Sequence, residues 1–225
     1  VNESNAYEYY AASATGGVWK TTDAGSTWLP IFDDQPTQSI GALAIAPSNP
    51  NIIYVGSGEG LHRPDLSVGN GLYRSADAGK TWTHLGLRDA QQIPEIAVDP
   101  RNPDRLFVAV LGHPYGPNRE RGIYRSTDGG RTLTQVFTRG EDIGARDVDI
   151  DPSNPDVVYA TFWEDRQGPW ENAAWSGTGG GVFNVSATGE SCLAMPGGEP
   201  AGQRSARGFG HPQARLHRAA ARPAK

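Results

Sequence analysis

The chain has 225 residues, of which 37% are hydrophobic and 20% are charged, and its formal net charge is −5. This length allows a sizeable core, and the negative charge gives no reason to expect nucleic acid or an anionic membrane as a partner. No apolar run approaches the roughly 20 residues that a membrane-spanning helix needs. The single cysteine, Cys192, excludes an internal disulfide, and no secretion signal is visible in the opening residues.

In chain order, the first predicted segment covers residues 7–32, supplies three strands and contains the octapeptide TTDAGSTW. Residues 38–85 supply four strands, which are QSIGALAIA, IIYVGS, GLYRSA and TWTHLG, and the turns between them are rich in Pro, Asn, Asp and Gly. Residues 92–138 repeat this pattern with the octapeptide STDGGRTL. Residues 144–183 supply two strands and the start of a third.

Two phrases recur with one period of about 52 residues. The octapeptide centres on Asp23, Asp77 and Asp128, and the second phrase reads APSNPNIIYV, DPRNPDRLFV and DPSNPDVVYA. Four antiparallel strands per repeat of roughly 40–50 residues are typical of a β-propeller blade. The sequence therefore predicts an all-β fold, a partial β-propeller of four-stranded antiparallel blades over residues 1–183.

The remaining residues, 184–225, carry no fourth octapeptide and are rich in Ala, Gly, Pro and Arg. We expect an irregular, low-complexity tail. Its composition suits a GC-rich gene read out of frame or an unrelated disordered end, and we favour the first interpretation.

The octapeptide has the chemistry of a hairpin turn. Its Asp can accept backbone N–H groups of its own turn, its Gly can adopt positive φ, and its Trp can pack between blades. A carboxylate bound to its own backbone is a poor catalyst, so we interpret these residues as structural. The structural set is Asp23, Gly25, Trp28, Asp77, Gly79, Trp82, Asp128 and Gly130.

These octapeptides resemble the Asp-box, or BNR repeat, of sialidases, sortilin-type propellers and certain glycoside hydrolases. Longer phrases, such as GGVWKTTDAGSTW and LGHPYGPNRERGIYRSTDGG, resemble large exported bacterial propellers of the sortilin-like family that carries the glycosyl-hydrolase name. The resemblance implies more blades than this sequence contains and an extracellular or periplasmic location. It covers residues 1–183.

Strand parity predicts the location of a site. Octapeptides join the third and fourth strands of each blade, so they lie opposite the loops that join the second and third strands. Those loops hold varied polar residues. The connections between blades add Asp33, Asp34, Arg88, Asp89, Glu141 and Asp142. The candidate catalytic residues are Glu59, His62, Asp65, His113, Glu120, Glu164 and Asp165. The candidate substrate-binding residues are Arg63, Arg119, Arg121, Arg166, Trp170 and Trp175. The candidate metal ligands are Glu59, Asp65, Asn70 and Asn118.

Three functions are compatible with the sequence. The first is a glycoside hydrolase, which needs two carboxylates across a cleft. The second is a Ca²⁺-dependent propeller lactonase or esterase that opens small lactones, and the third is a non-catalytic module that binds a glycan or peptide. A partial ring should also leave sheet edges open, which predicts self-association.

Overall fold

The computed structural model describes residue 2 and residues 4–60, 66–164, 179–186 and 192–194. These residues form four antiparallel sheets of three or four strands and no helix, as predicted for a partial β-propeller. Among them there is accordingly no helix long and apolar enough to cross a membrane.

Each sheet is one blade, and its strands are adjacent in chain order. Blade 1 contains β1 (Tyr9–Ser13), β2 (Gly17–Thr21) and β3 (Leu29–Pro30). Blade 2 contains β4 (Ile40–Ile45), β5 (Ile53–Ser57), β6 (Leu72–Ser75) and β7 (Thr83–Gly86). Blade 3 contains β8 (Glu95–Val98), β9 (Leu106–Val110), β10 (Gly122–Ser126) and β11 (Thr134–Phe137). Blade 4 contains β12 (Ile143–Ile150), β13 (Val157–Glu164), β14 (Gly181–Ser186) and β15 (Cys192–Ala194).

Apolar side chains fill the space between successive blades. Val18 and Tyr73 share the cluster between blades 1 and 2, and Leu72 and Tyr124 share the one between blades 2 and 3. Ile123 and Phe183 share the cluster between blades 3 and 4. The strands β5 and β9 are buried along their whole length because a neighbouring blade covers each of their faces. Burial on both faces explains their continuous apolar sequences.

The three octapeptides adopt the same hydrogen-bonded turn. In blade 2 the Asp77 carboxylate accepts the backbone N–H of Thr81 at 2.9 Å and its hydroxyl at 2.6 Å. The Ser75 hydroxyl donates to Asp77 at 2.8 Å and accepts the N–H of Gly79 at 2.9 Å. Blades 1 and 3 repeat the backbone contact at 2.9 Å, from Thr27 and from Thr132.

These contacts account for the acidity of the octapeptide carboxylates. Hydrogen bonds from the hydroxyl and then the backbone N–H of Thr81 lower the pKa of Asp77 to about 2. Bonds from Thr27 lower the pKa of Asp23 to about 2, and the N–H of Thr132 leads the same effect on Asp128. Three ionised carboxylates are therefore bound within their own turns.

The expected packing of the octapeptide tryptophans differs between blades. Trp82 lies edge-on to Phe32 with ring centroids 5.1 Å apart, and its Nε1 donates to the Ile31 carbonyl of blade 1 at 2.6 Å. Trp28 is 39% exposed, and its Nε1 donates to the carbonyl of Gly25 in its own turn at 3.1 Å. The expectation of packing between blades therefore needs correction for Trp28, because the described part of the chain contains no earlier blade that could cover it.

The sequence boundary at Phe183 also needs correction. That residue lies inside β14, which runs from Gly181 to Ser186, and Cys192–Ala194 forms a further strand paired with β14. Blade 4 thus has four strands although its octapeptide is missing. The other residues of the predicted tail lie outside the described part of the chain.

Candidate functional site

The connections between strands separate into two faces. The octapeptide turns contact the turns that join first and second strands, since Ala78 donates to Asn51 at 2.9 Å and Gly129 donates to Asp104 at 2.9 Å. The loops that join second and third strands contact the connections between blades instead. Examples are Gly69 to Gln91 at 2.7 Å and Asn118 to Glu141 at 2.9 Å. We call the second set the variable-loop face.

About half of the predicted site residues can be placed on this face. The structure describes Glu59, Asn70, His113, Asn118, Arg119, Glu120, Arg121 and Glu164. The others lie outside the described residues, and they are His62, Arg63, Asp65, Asp165, Arg166, Trp170 and Trp175.

Four polar side chains come together where blades 2 and 3 meet. The Asp89 carboxylate lies 3.0 Å from Nε2 of His113 and accepts a hydrogen bond from Nδ2 of Asn118 at 3.3 Å. The Glu120 carboxylate accepts a hydrogen bond from the backbone N–H of Asp89. We call these four residues the Asp89 cluster. It brings the predicted catalytic residues His113 and Glu120 together with a carboxylate from the connection between the blades.

The two carboxylates of the Asp89 cluster have different environments. The Asp89 side chain is 70% exposed and has hydrogen-bond partners for both of its oxygens. Burial raises the pKa of Glu120, the negative charge of Asp89 raises it further, and His113 and the Asp89 N–H oppose the shift. The Oε2 atom of Glu120 is buried without a hydrogen-bond partner among the described residues. The cluster therefore pairs a solvated carboxylate with one whose protonated form is favoured.

The backbone that carries Asp89 is conformationally strained. Leu87 and Gln91 both have positive φ, at 57° and 60°, although neither is glycine. Residues in this region of φ typically persist only where surrounding contacts fix them, and they occur often at functional sites. Here Gln91 is fixed because its carbonyl accepts the N–H of Gly69 from the neighbouring loop.

The loop behind the cluster is fixed by a buried arginine. Arg121 has no exposed surface, and its guanidinium donates to the carbonyls of Leu111, of His113 at 2.7 Å and of Gly116 at 3.2 Å. This burial argues against the predicted substrate contact and assigns Arg121 to positioning His113. Arg119, two residues earlier, extends into solvent with its side chain 90% exposed and lies 3.0 Å from Glu141.

The proposed metal ligands have other partners. Glu59 is 2% exposed, and its carboxylate accepts the N–H of Ser67 at 2.9 Å. The Asn70 side-chain oxygen accepts the Tyr73 hydroxyl at 2.6 Å. Among the described residues, no group of three His, Cys, Asp or Glu side chains could hold a metal ion. The arrangement of Glu59 and Asn70 thus supports loop structure and gives no support for a metal site.

Glu164 is the last residue of β13 in blade 4, whereas the Asp89 cluster lies where blades 2 and 3 meet. It pairs with Ile143 across blade 4, and its carboxylate accepts the N–H of Gly179 at 3.4 Å. Its position marks where the loop of blade 4 leaves the sheet on the variable-loop face.

The sequence interpretation missed an acid on the innermost strands. Glu95 begins β8, and burial, followed by the negative charges of Asp147 and Asp149 on β12, raises its pKa to about 7. Glu95 and Asp147 occupy equivalent places in blades 3 and 4, where blade 2 has Ala42. Aligning the repeated phrases would have found this acid, because EIAVDP and DVDIDP carry carboxylates where ALAIAP has alanine.

Sequence comparisons relate the chain to polysaccharide-degrading enzymes. A xyloglucanase from Paenibacillus sp. is 29% identical over 148 residues, which are 60% of this chain and 14% of that protein. Xyloglucanase Xgh74A of Acetivibrio thermocellus is 27% identical over 149 residues, 60% of this chain and 17% of that protein. This chain thus spans less than a fifth of the length of these relatives. No model of a protein family matches it.

Solved structures support the assignment of the fold. An ancestral GH74 enzyme superimposes with a TM-score of 0.67 at 18% identity, over 88% of this chain and 25% of that one. The GH74 xyloglucanase of Xanthomonas campestris gives a TM-score of 0.61 at 16% identity, over 87% of this chain and 30% of its own. The chain is therefore part of a β-propeller, and its sequence relatives are glycoside hydrolases that act on xyloglucan.

Proposed function

We propose that the chain belongs to a glycoside hydrolase that cleaves a xyloglucan-type polysaccharide. The observation that carries this proposal is the similarity to xyloglucanases over 60% of the chain. The Asp89 cluster adds chemical support, because hydrolysis of a glycosidic bond uses two carboxyl groups of unlike protonation.

In this proposal Glu120 is the general acid. Its burial and the nearby charge of Asp89 keep the proton on the carboxyl group at higher pH than usual. The acid would donate that proton to the glycosidic oxygen as the bond to the sugar breaks. Asp89 then either activates water or stabilises the positive charge that develops on the sugar ring. His113 and Asn118 orient Asp89 through the hydrogen bonds at 3.0 and 3.3 Å.

In this proposal, other side chains of the variable-loop face bind and position the substrate. Arg119 is exposed on the same loop and can donate hydrogen bonds to sugar hydroxyl groups. We keep Trp170 and Trp175 as proposed residues that stack on sugar rings, and Arg63 and Arg166 as proposed hydrogen-bond donors to the substrate. All four lie outside the described residues. A polysaccharide substrate also agrees with the expected extracellular or periplasmic location and with the proposed relation to Asp-box propellers.

The lactonase alternative has no comparable support. The sequence relatives are xyloglucanases. The side-chain oxygens of Glu59 and Asn70, which were proposed as metal ligands, accept hydrogen bonds from Ser67 and Tyr73. A glycan-binding module without turnover is the remaining competitor, and the activity assay separates it from the hydrolase.

The test is release of reducing ends from xyloglucan by the purified chain and by Glu120→Gln and Asp89→Asn variants. We expect each variant to lose about 10²–10⁴-fold in turnover while still binding the polysaccharide. Asp156→Asn is the matched control, because its side chain is 81% exposed on the opposite face. Binding without turnover by the unaltered chain would contradict the hydrolase proposal and favour the binding module.

A further inference from the structure

Gln92 is a buried polar residue in the connection between blades 2 and 3, three residues after Asp89. It is 1% exposed, and its main-chain carbonyl accepts the N–H of Leu111 at 3.1 Å. Its side-chain Nε2 donates to the carbonyl of Glu59 at 2.7 Å. Leu111 directly follows β9 and Glu59 lies just beyond β5, so Gln92 contacts the variable loops of both blades.

The side-chain amide of Gln92 has one orientation. Because the Glu59 carbonyl can only accept a hydrogen bond, the amide atom beside it is the nitrogen. The other atom, Oε1, is buried without a hydrogen-bond partner among the described residues. Such an oxygen is destabilising, whereas an apolar side chain of similar size would fill the space without this penalty. Exceptions of this kind to local stability occur at functional sites.

The repeats separate the role of the main chain from that of the side chain. The equivalent of Gln92 in blade 2 is Ser39, because the carbonyl of each accepts the N–H of the residue that follows the second strand of its own blade. The Ser39 hydroxyl also stays within its own blade, where it accepts the N–H of Glu59 at 3.1 Å. The Gln92 side chain instead reaches back to the preceding blade. Its bond to Glu59 is therefore an addition to the shared architecture.

The contacts of Gln92 fix the supports of two members of the Asp89 cluster. Leu111 is bound on both sides, since its N–H donates to Gln92 and its carbonyl accepts the guanidinium of Arg121. His113 follows two residues later on the same loop. On the other side, Asp89 is separated from Gln92 by only two residues. The relative position of Asp89 and His113 therefore depends on Gln92.

We propose that Gln92 is a positioning residue of the Asp89 cluster. Its bond to Glu59 holds the segment that carries Asp89 in place against the loop that carries His113, which keeps the two carboxyl groups of the cluster aligned. The effect on turnover rests on the proposed hydrolase function, whereas the effect on the geometry of the cluster does not. A displacement of about 1 Å at a reacting group can lower turnover by about 10²-fold.

Xyloglucan turnover by Gln92→Met tests this role. We expect kcat to fall by about 10–10²-fold and KM to change by less than about threefold, because Gln92 does not contact the substrate. The unfolding temperature should stay close to that of the parent, since loss of one hydrogen bond is offset by removal of an unpaired oxygen. Ile93→Val is the matched control, because Ile93 has no exposed surface and makes no side-chain hydrogen bond.

The control should show the opposite pattern. Ile93→Val removes a buried carbon next to Gln92, so we expect a lower unfolding temperature and turnover close to that of the parent. In an active parent chain, equal turnover in Gln92→Met would overturn the proposal. A loss of turnover in Gln92→Met that is matched in Ile93→Val would also overturn it, because packing alone would then explain both.

NMR resonances of the Asn118 side-chain amide test the positioning without substrate. They report on Asp89, because Nδ2 of Asn118 donates to the Asp89 carbonyl at 3.2 Å and to its carboxylate at 3.3 Å. We expect them to shift in Gln92→Met and to stay in place in Ile93→Val, with Asn118→Ser identifying the signals. Shifted resonances in a chain that does not cleave xyloglucan would contradict the proposed hydrolase and still support the positioning. Unchanged resonances in Gln92→Met would overturn the positioning at any level of turnover.

Discussion

The two faces of this propeller use similar residue types for opposite purposes. On the octapeptide face, Asp23, Asp77 and Asp128 each accept the backbone N–H of the Thr four residues later in the same turn, with the same 2.9 Å distance in blades 1, 2 and 3. On the variable-loop face, Asp89 comes from the connection between blades 2 and 3, Glu120 comes from a loop of blade 3, and the two carboxylates have different partners. Carboxylates that recur at the same place in successive blades are therefore structural here. The candidate site uses carboxylates whose partners differ from blade to blade.

The largest expected effect concerns the support of the variable-loop face. Replacing Arg121 by Met would leave the carbonyls of Leu111, His113 and Gly116 without their donor. We expect a loss of about 4 kcal/mol in the free energy of unfolding, since buried polar groups without partners are costly. Arg119→Met is the matched control, and because Arg119 is 90% exposed it should change stability by less than about 1 kcal/mol. Equal effects in urea unfolding would show that Arg121 does not hold the loop.

The next effect concerns how stability depends on pH at two places, the inner strand β8 and the octapeptide turns. The pKa of Glu95 is raised to about 7 in the folded chain, so its stabilising contribution is complete below its ordinary value of 4.5 and is lost as pH rises through 7. The octapeptide carboxylates, with pKa values lowered to about 2, contribute above their ordinary value of 3.8 and lose that contribution as pH falls. The inner strand and the octapeptide turns should therefore respond to pH in opposite directions.

Glu95→Gln isolates the first of these effects. We expect the stability of the parent relative to the variant to fall by about 3 kcal/mol between pH 5 and pH 8, at roughly 1.4 kcal/mol per unit of pKa shift. Urea unfolding of both chains at several pH values measures the difference. A difference that does not change over this range would mean that Glu95 is not desolvated by blade 4.

A smaller effect compares one octapeptide position in two blades. Gly25 and Gly79 have positive φ, 94° and 87°, so alanine is strained at both. A Cβ at Gly79 would also lie 2.5 Å from Cδ1 of Ile31 in blade 1, while at Gly25 the nearest atoms belong to Trp28 at 3.9 Å. We expect Gly79→Ala to cost about 1–2 kcal/mol more than Gly25→Ala. Equal losses in thermal unfolding would mean that blade 1 does not pack on the second octapeptide.

Much of the fold followed from local signals in the sequence. Asp, Gly and Pro at fixed places in the two repeated phrases determine turns, and turns determine where strands begin and end. Strand β15 escaped prediction because it has only three residues and follows no octapeptide, so its position depends on pairing with β14. Pairing of that kind is a tertiary contact and leaves little trace in local sequence.

The site was less predictable, because burial decides the role of each polar residue there. The sequence does not distinguish Arg119 from Arg121, which lie in the same loop. The side chain of Arg119 is in solvent, whereas Arg121 has no exposed surface. Asp89 was visible only as one acid among several between blades, and its importance depends on His113, 24 residues away. Glu95 was not predicted because it lies on strand β8, outside the variable loops, and its effect depends on the charge of Asp147 in the next blade.

The most direct test compares xyloglucan turnover by Glu120→Gln and Asp77→Asn at a temperature where both variants are folded. We predict that Glu120→Gln loses about 10²–10⁴-fold in turnover with little change in stability, since the general acid is removed. We expect Asp77→Asn to lower the unfolding temperature and to leave turnover close to that of the parent chain. Loss of turnover in folded Asp77→Asn with full turnover in Glu120→Gln would place the chemistry on the octapeptide face and contradict the assignment of Glu120 as general acid.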